Sequence, residues 1–349
     1  MKVSATSILE PHAAEKSNVA LQSVQILAGR KDCLAWRRSA DILVGPNRAP
    51  TTKPTRMSAL LCLRLRRVAV YADLIKVRLT SLVMLTALVG FYIGAVGPMD
   101  YGLMFHTLLG TGLVASAAAA LNQLLERDYD ALMKRTEDRP LPSGRLQPET
   151  VLIFGGVCAG AGLMYLALAV NLLTSVVGAI TLCSYLFVYT PLKRITSLNT
   201  VVGAIPGALP ALMGWTAARG EVTVEGWALF AIVAFWQLPH FMAIAWIYRE
   251  DYARAGFAML PVLDPDGQRT GHHALSHALG LLPVSLSPFV FKLAGPIYLA
   301  GALVLGVAFV CFAIRFARRL TVERARQLFY MSLIYLPLLL GIMVFDKVK

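Results

Sequence analysis

Charge is scarce in this chain. Only 15% of its 349 residues are Asp, Glu, Lys or Arg, against 57% hydrophobic, whereas soluble domains carry about 25% charged and 45–50% apolar residues. Length alone permits two soluble domains, but the long apolar runs exclude them and make this a polytopic membrane protein. Cysteine is scarce too. Its five cysteines (Cys33, Cys62, Cys158, Cys183 and Cys311) contain no CxxC pair, which argues against a zinc site or a disulfide framework. The last three fall in apolar spans and are expected to be buried small hydrophobes. No GxxxxGKS or GxxxxGKT occurs, which argues against an ATP-driven pump. The net charge of +13 invites a nucleic-acid reading. However, the basic residues cluster at span ends, where membrane topology accounts for them, so no nucleic-acid partner is expected.

Residues 1–56 lack a long apolar run and a small-residue cleavage site, so they form no secretory signal. An Arg-containing organellar presequence is weakened by Glu10, Glu15, Asp32 and Asp41. We expect residues 1–70 to be a disordered N-terminal extension and residues 71–349 to form one all-α, nine-helix membrane bundle around a central cavity. The expected spans are 78–97, 103–126, 150–169, 172–190, 199–217, 226–247, 274–292, 296–315 and 326–345.

The connecting loops alternate in charge. One set carries Lys76 and Arg78, then Arg127 to Arg145, Lys193 and Arg194, Arg249 to Arg269, and Arg315 to Arg326. The other set carries little beyond Asp100, Asn171, Arg219, Glu221, Glu225 and Lys292. The positive-inside bias places the first set on the cytoplasmic side and, with nine spans, puts the C-terminus outside. Pro206, Gly207, Pro210, Pro239, Pro283, Pro288 and Pro337 lie inside spans, where kinks and close packing are common.

At the cytoplasmic end of the second span, Asn122, Glu126 and Asp130 stand four residues apart. At about 100° per residue they drift only ~40° per step, so they share one helix face. Asp128 is ~240° round from Asn122 and should turn away, towards Arg127 or Lys134. Acids on a membrane helix cost about 2.5–3.5 kcal/mol each at the centre and less near an end. Two carboxylates and an amide in register there suit a cation, and the basic run KRTEDRPLPSGR behind them suits an anion. Mg²⁺ with a diphosphate meets both requirements.

A second polar cluster, Tyr248 to Tyr252, ends the sixth span on the same side and would face the first across a shared cavity. Asp251 is a candidate metal ligand there, or an ordinary ion-pair partner of Arg249 or Arg254; Glu250 is the lesser candidate. Arg135, Arg139, Lys193 and Arg194 could hold a leaving diphosphate. Tyr185 and Tyr189 could face an allylic cation or simply mark the membrane interface. His240 lies within the sixth span, open to three roles: haem-iron ligand, proton shuttle or hydrogen-bonded core residue. No CxxCH occurs, which argues against covalent haem.

NQLLERDYDALMKRTEDRPLPSGR resembles the first aspartate-rich motif of the intramembrane UbiA-type prenyltransferase superfamily. YTPLKRITSLNTVVGAIPGALPALMGW, WQLPHFMAIAW and DYARAGFAMLP resemble its haem-prenylating branch, the protohaem IX farnesyltransferases or haem O synthases. The likeness runs from about Tyr71 to the C-terminus. It implies transfer of a farnesyl group from farnesyl diphosphate to the 2-vinyl group of haem B, with Mg²⁺ as cofactor. It also implies Asn122, Glu126 and Asp130 as Mg²⁺-diphosphate ligands and places Asp251, the further candidate metal ligand, in the second motif. Asp130, Asp251 and, from its place within the membrane, His240 are the catalytic candidates, with His240 also the candidate haem-binding residue. Glu126 replaces the commoner Asp of that motif, Asp138 stands where Asn is frequent, and Tyr248 and Tyr252 stand where relatives often carry Asp. The implied setting is the bacterial inner membrane, or alternatively the mitochondrial one, with the site on the cytoplasmic or matrix side. The lipid bilayer and a haem A synthase or oxidase assembly factor are the implied partners. Prenylation of a quinone or chlorophyll precursor is the alternative within the fold. An ion-coupled transporter is the alternative outside it, disfavoured because the first motif is not repeated.

Overall fold

The computed structural model describes residues 67–348. The expected extension lies almost wholly outside the described residues. Nine long helices follow: α1 (Val77–Gly94), α2 (Tyr101–Leu125), α3 (Pro148–Ala169), α4 (Leu172–Ile195), α5 (Asn199–Arg219), α6 (Val224–Ile247), α7 (Gln268–Val290), α8 (Pro296–Arg318) and α9 (Val322–Phe345). Among the described residues there is no strand, only an isolated bridge between Ala294 and Lys347. The all-α expectation holds. Eight of these helices are long and apolar enough to span a membrane by length and composition; α7, the remaining one of the expected nine, does not meet that measure. It starts at Gln268 rather than the expected 274 because the Asp264 carboxylate accepts hydrogen bonds from the Thr270 amide at 2.8 Å and its hydroxyl at 2.9 Å. That cap adds the polar stretch Gln268 to His273 to the helix.

Local chemistry sets the other boundaries. Asp100 accepts from the Leu103 amide at 2.8 Å to start α2, and Asn171 accepts from the Thr174 amide at 2.8 Å to start α4. Gly220 ends α5 at φ 72°, where a side chain would be strained.

α1 lies against α5, far along the chain, as well as against α2. Gly90 and Gly214 make the α1–α5 approach possible. A Cβ on Gly90 would meet the Ala211 carbonyl, and one on Gly214 the Ala87 carbonyl. α5 and α6 are the most enclosed helices, 72% and 61% buried, whereas α3 is only 28% buried. Leu168, Phe187 and Val304 project outward. So broad an apolar exterior requires lipid, and the chain is a multi-pass integral membrane protein. Cys158 is buried as expected, but Cys183 and Cys311 are exposed on that exterior, which corrects the expectation for both. Lipid is as apolar as a core, so an apolar span does not reveal which of its faces is enclosed.

The chain end closes the bundle. The Lys347 ammonium donates to the Tyr92 and Ala95 carbonyls at 2.6 and 2.8 Å, satisfying the C-terminal end of α1. The Asp346 carboxylate accepts from the Tyr298 amide of α8 at 2.7 Å.

Gly214→Ala should lower the melting temperature of the detergent-solubilised protein, with over-packing costing about 1–3 kcal/mol. Gly160→Ala, whose Cβ would meet nothing within 4 Å, should not lower it. Differential scanning calorimetry on the pair is the check, and equal melting temperatures would refute the close α1–α5 contact.

Candidate active site

The regular helix α2 stops at Leu125, yet its hydrogen-bond ladder continues. The Glu126 amide donates to the Asn122 carbonyl at 3.0 Å, and the Asp130 amide to the Glu126 carbonyl at 2.8 Å. Asn122, Glu126 and Asp130 are therefore stacked as their spacing predicts, and all three are buried, at 1%, 5% and 0% exposure. Asp128 turns out to solvent and pairs with Arg127 at 2.9 Å.

Each of the three stacked side chains meets a basic group. Lys76 Nζ donates to Asn122 Oδ1 at 3.0 Å. Lys193 Nζ donates to Glu126 Oε1 at 2.6 Å, and Arg139 Nη1 to Asp130 Oδ2 at 2.7 Å. The two remaining basic candidates lie on aromatic faces nearby. The Arg194 guanidinium sits 4.5 Å from the centre of the Tyr129 ring. Arg135 sits over Tyr248 and reaches the Tyr252 hydroxyl at 3.3 Å. Burial pushes the Glu126 carboxyl up, but Lys193 by charge and hydrogen bond, with Lys76 and Asn122, holds it below its ordinary value. Burial, then the charges of Arg139 and Lys193, push Lys76 down to about 7, against the pull of Glu126 and Asp130.

The second cluster does pack against the first loop. Tyr252 and Phe257 close over Met133 and Tyr129, and the Ala258 amide donates to the Lys193 carbonyl at 2.7 Å. Asp251, however, is engaged by Arg254, the ion-pair reading, and Glu250 is exposed. Among the described residues no three of His, Cys, Asp or Glu converge to hold a metal by themselves. The donor set nevertheless suits Mg²⁺. It is all oxygen, and Asp130 Oδ1 is buried without a hydrogen-bond partner. Mg²⁺ characteristically takes one or two carboxylates and completes its shell with water and substrate phosphate.

Alongside this polar end lies a cavity of about 280 Å³ lined by α1, α2, α4, α5, α6 and α9. Its wall is mainly apolar, with Tyr185, Tyr189, Pro206, Gly207, Trp236 and His240 among the lining residues. The in-span Pro206, Gly207 and Pro210 thus shape the cavity as well as the packing. Tyr185 and Tyr189 lie on a π-helical stretch, Ser184–Tyr189, with ring centres 5.6 Å apart. Pro191 lacks an amide to continue the regular ladder, and both the Thr190 amide and its hydroxyl turn to the Tyr185 carbonyl. The Thr190 hydroxyl also accepts from Asn122 Nδ2 at 3.2 Å, which joins the cavity wall to the stacked oxygens.

Of its three expected roles, His240 fills that of a hydrogen-bonded core residue. It is buried, stacked between Trp236 and Phe329, with Nδ1 2.7 Å from the Ser332 hydroxyl. That hydroxyl spends its proton on the Phe329 carbonyl, so Nδ1–H must donate and Nε2 keeps its lone pair. Such a neutral, oriented imidazole is suited to ligate iron or accept a proton.

Two contributors escape the sequence reading. Lys76 is there only a topology signal, and Thr190 has no assigned role. The sequence does place a lysine directly before an apolar span, but nothing in it pairs that lysine with Asn122, 46 positions away. Asp138, which stands where Asn is frequent in that motif, has an exposed side chain, and its carbonyl accepts from Arg145.

The UbiA prenyltransferase family matches residues 83–334. A curated relative, protoheme IX farnesyltransferase of Solibacter usitatus, is 47% identical over 286 residues, which are 79% of this chain and 98% of that protein. Among solved structures, one of digeranylgeranylglyceryl phosphate synthase covers 80% of this chain and 98% of its own, at 16% identity and a TM-score of 0.68. A UbiA homolog from Archaeoglobus fulgidus bound to GPP and Mg²⁺ covers 78% of this chain and 99% of its own, at 16% identity and a TM-score of 0.59. The two structures share the fold.

Lys193→Met should leave Glu126 buried without its closest cation and destabilise the protein by about 3 kcal/mol. Adding Glu126→Gln should restore most of that loss. Because pairing depresses the Glu126 value, the contribution is complete above the ordinary carboxylate range and is lost as pH falls through the lower folded value. Thermal unfolding of the three proteins from pH 7 down to pH 3 checks both statements.

Proposed function

The chain belongs to the UbiA prenyltransferase family, and from that premise we propose that it transfers a farnesyl group from farnesyl diphosphate to the 2-vinyl group of haem B, forming haem O. The observation that carries this reading is the row of buried oxygens, Asn122, Glu126 and Asp130, ringed by basic side chains beside an apolar cavity. Its haem specificity is supported by the 47% identity to a protoheme IX farnesyltransferase and by the free Nε2 of His240.

Asn122, Glu126 and Asp130 would hold Mg²⁺, with Asp251 a further candidate from the second loop. Bound Mg²⁺ supplies a Lewis acid that offsets charge on the diphosphate oxygens. Lys193, Arg139, Arg194 and Arg135 take the diphosphate and stabilise the electron pair it carries away as its bond to the allylic carbon breaks. Tyr185 and Tyr189 present ring faces to the resulting allylic cation. The apolar wall keeps water from capturing that cation first. The vinyl π electrons of haem B then form the new carbon–carbon bond. Water adds to the benzylic-type cation and loses a proton, leaving a hydroxyethylfarnesyl group. His240 would hold the haem iron or accept that proton.

The site loops belong to the basic set, which supports a site on the cytoplasmic side of a bacterial inner membrane. A haem A synthase or an oxidase assembly partner would receive the product.

Purified protein incubated with haem B, farnesyl diphosphate and Mg²⁺ should yield haem O by mass spectrometry of the extracted haems, and omission of Mg²⁺ should abolish it. Asp130→Ala should lose at least a thousandfold in yield while remaining folded in the membrane. Normal haem O formation by that variant would remove Asp130 from the metal site.

A further inference from the structure

Lys76 has a backbone as unusual as its partner. Among the described residues only Lys76 and Lys292 are non-glycine positions with positive φ, and Lys76 lies at φ 50° and ψ 56°. The left-handed region is unfavourable for a side-chain-bearing residue, so the surroundings must enforce it. They do so from both sides. Gln123 Nε2 donates to the Leu74 carbonyl at 2.7 Å, and Arg145 pairs with Asp73 at 3.2 Å. The Leu79 and Thr80 amides both return to the Lys76 carbonyl, at 2.8 and 3.0 Å, starting α1. The strained turn aims the side chain at Asn122 Oδ1.

With Lys76 included, basic groups and oxygen ligands match one to one: Lys76 on Asn122, Lys193 on Glu126 and Arg139 on Asp130. A divalent ion approaching those oxygens meets three basic groups already in contact with them. A diphosphate, conversely, meets basic groups whose hydrogen bonds are directed at protein oxygens.

We infer that Lys76, Lys193 and Arg139 are internal stand-ins for the metal, so that metal and diphosphate bind strongly only together, with Lys76 the member that releases Asn122. Rearrangement of the three contacts frees the oxygens for the ion and the basic groups for the anion at once. Each ligand then raises the affinity of the other by the same factor, as linkage requires. This inference rests on the prenyltransferase reading of the site. It adds Lys76 as a binding residue and makes loading a joint event rather than two independent ones.

The test is equilibrium binding of Mn²⁺, followed by its free-ion electron paramagnetic resonance signal. Full-length protein in detergent is compared with and without inorganic pyrophosphate, at free Mn²⁺ concentrations corrected for the pyrophosphate chelate. Wild type should bind Mn²⁺ at least tenfold more tightly with pyrophosphate. Lys76→Met should shrink that ratio below threefold, by tightening Mn²⁺ alone and weakening pyrophosphate, while Lys76→Arg should largely keep it. Equal Mn²⁺ affinity with and without pyrophosphate in wild type would overturn the coupling whether or not the variants fold. An unchanged ratio in a Lys76→Met protein with wild-type melting temperature would remove Lys76 from it. Failure of wild type to bind either probe would instead overturn the prenyltransferase reading of the site.

Discussion

Two buried carboxylates at the end of a membrane helix cannot stand without countercharge, and that constraint organises this protein. Glu126 and Asp130 are nearly inaccessible to solvent. In such surroundings a lone ionised acid would be neutralised by a shifted pKa rather than tolerated. The fold therefore brings Lys193 from the end of α4 and Arg139 from the loop after α2. The loop after α6 braces the assembly through Tyr252, Phe257 and Ala258. Several parts of the loop structure around this helix end can be traced to the countercharge that two buried carboxylates require.

The apolar part of the site follows a different logic. Close approach of α1 to α5 is a matter of glycine placement, and it sets one side of the cavity. Prolines that interrupt α5 and α6 would destabilise an isolated helix, but here the neighbouring helices hold the backbone in place. In the proposed reaction the polar end would hold the diphosphate ester and the apolar wall its tail. Catalysis of the proposed kind needs both, because a carbocation formed beside bulk water is consumed by it.

Much of this architecture was legible in the sequence. All the long helices but α7 fall close to the expected positions because apolar runs of spanning length are bounded by charges, Gly, Pro or Asn. The Asn122, Glu126 and Asp130 stack was legible because a four-residue spacing on a helix is a geometric statement. The basic residues around it were legible by type but not by pairing, since Lys193 and Glu126 are 67 positions apart and only the fold decides which cation meets which oxygen. The left-handed turn at Lys76 has no sequence signal, because lysine carries no preference for it and the enforcing contacts come from Gln123 and Arg145. The polar entry to α7 is not legible from composition, because hydrogen bonds from Thr270 to Asp264 rather than apolar residues hold its first turn. The exposed faces of Cys183 and Cys311 were hidden for a simpler reason: an apolar residue reads alike towards lipid and towards protein.

The widened turn at Ser184–Tyr189 has a consequence for how this sequence can change. A π turn holds one more residue than the regular helix would need over the same rise. Loss of a single residue there would let α4 revert to an ordinary helix, leaving the flanking segments in phase with their neighbours. The bundle would survive such a deletion, but Tyr185 and Tyr189 would no longer share the cavity wall with Thr190 behind them. At this point in the chain, foldability and chemistry are set by different residues, so a length change can separate them.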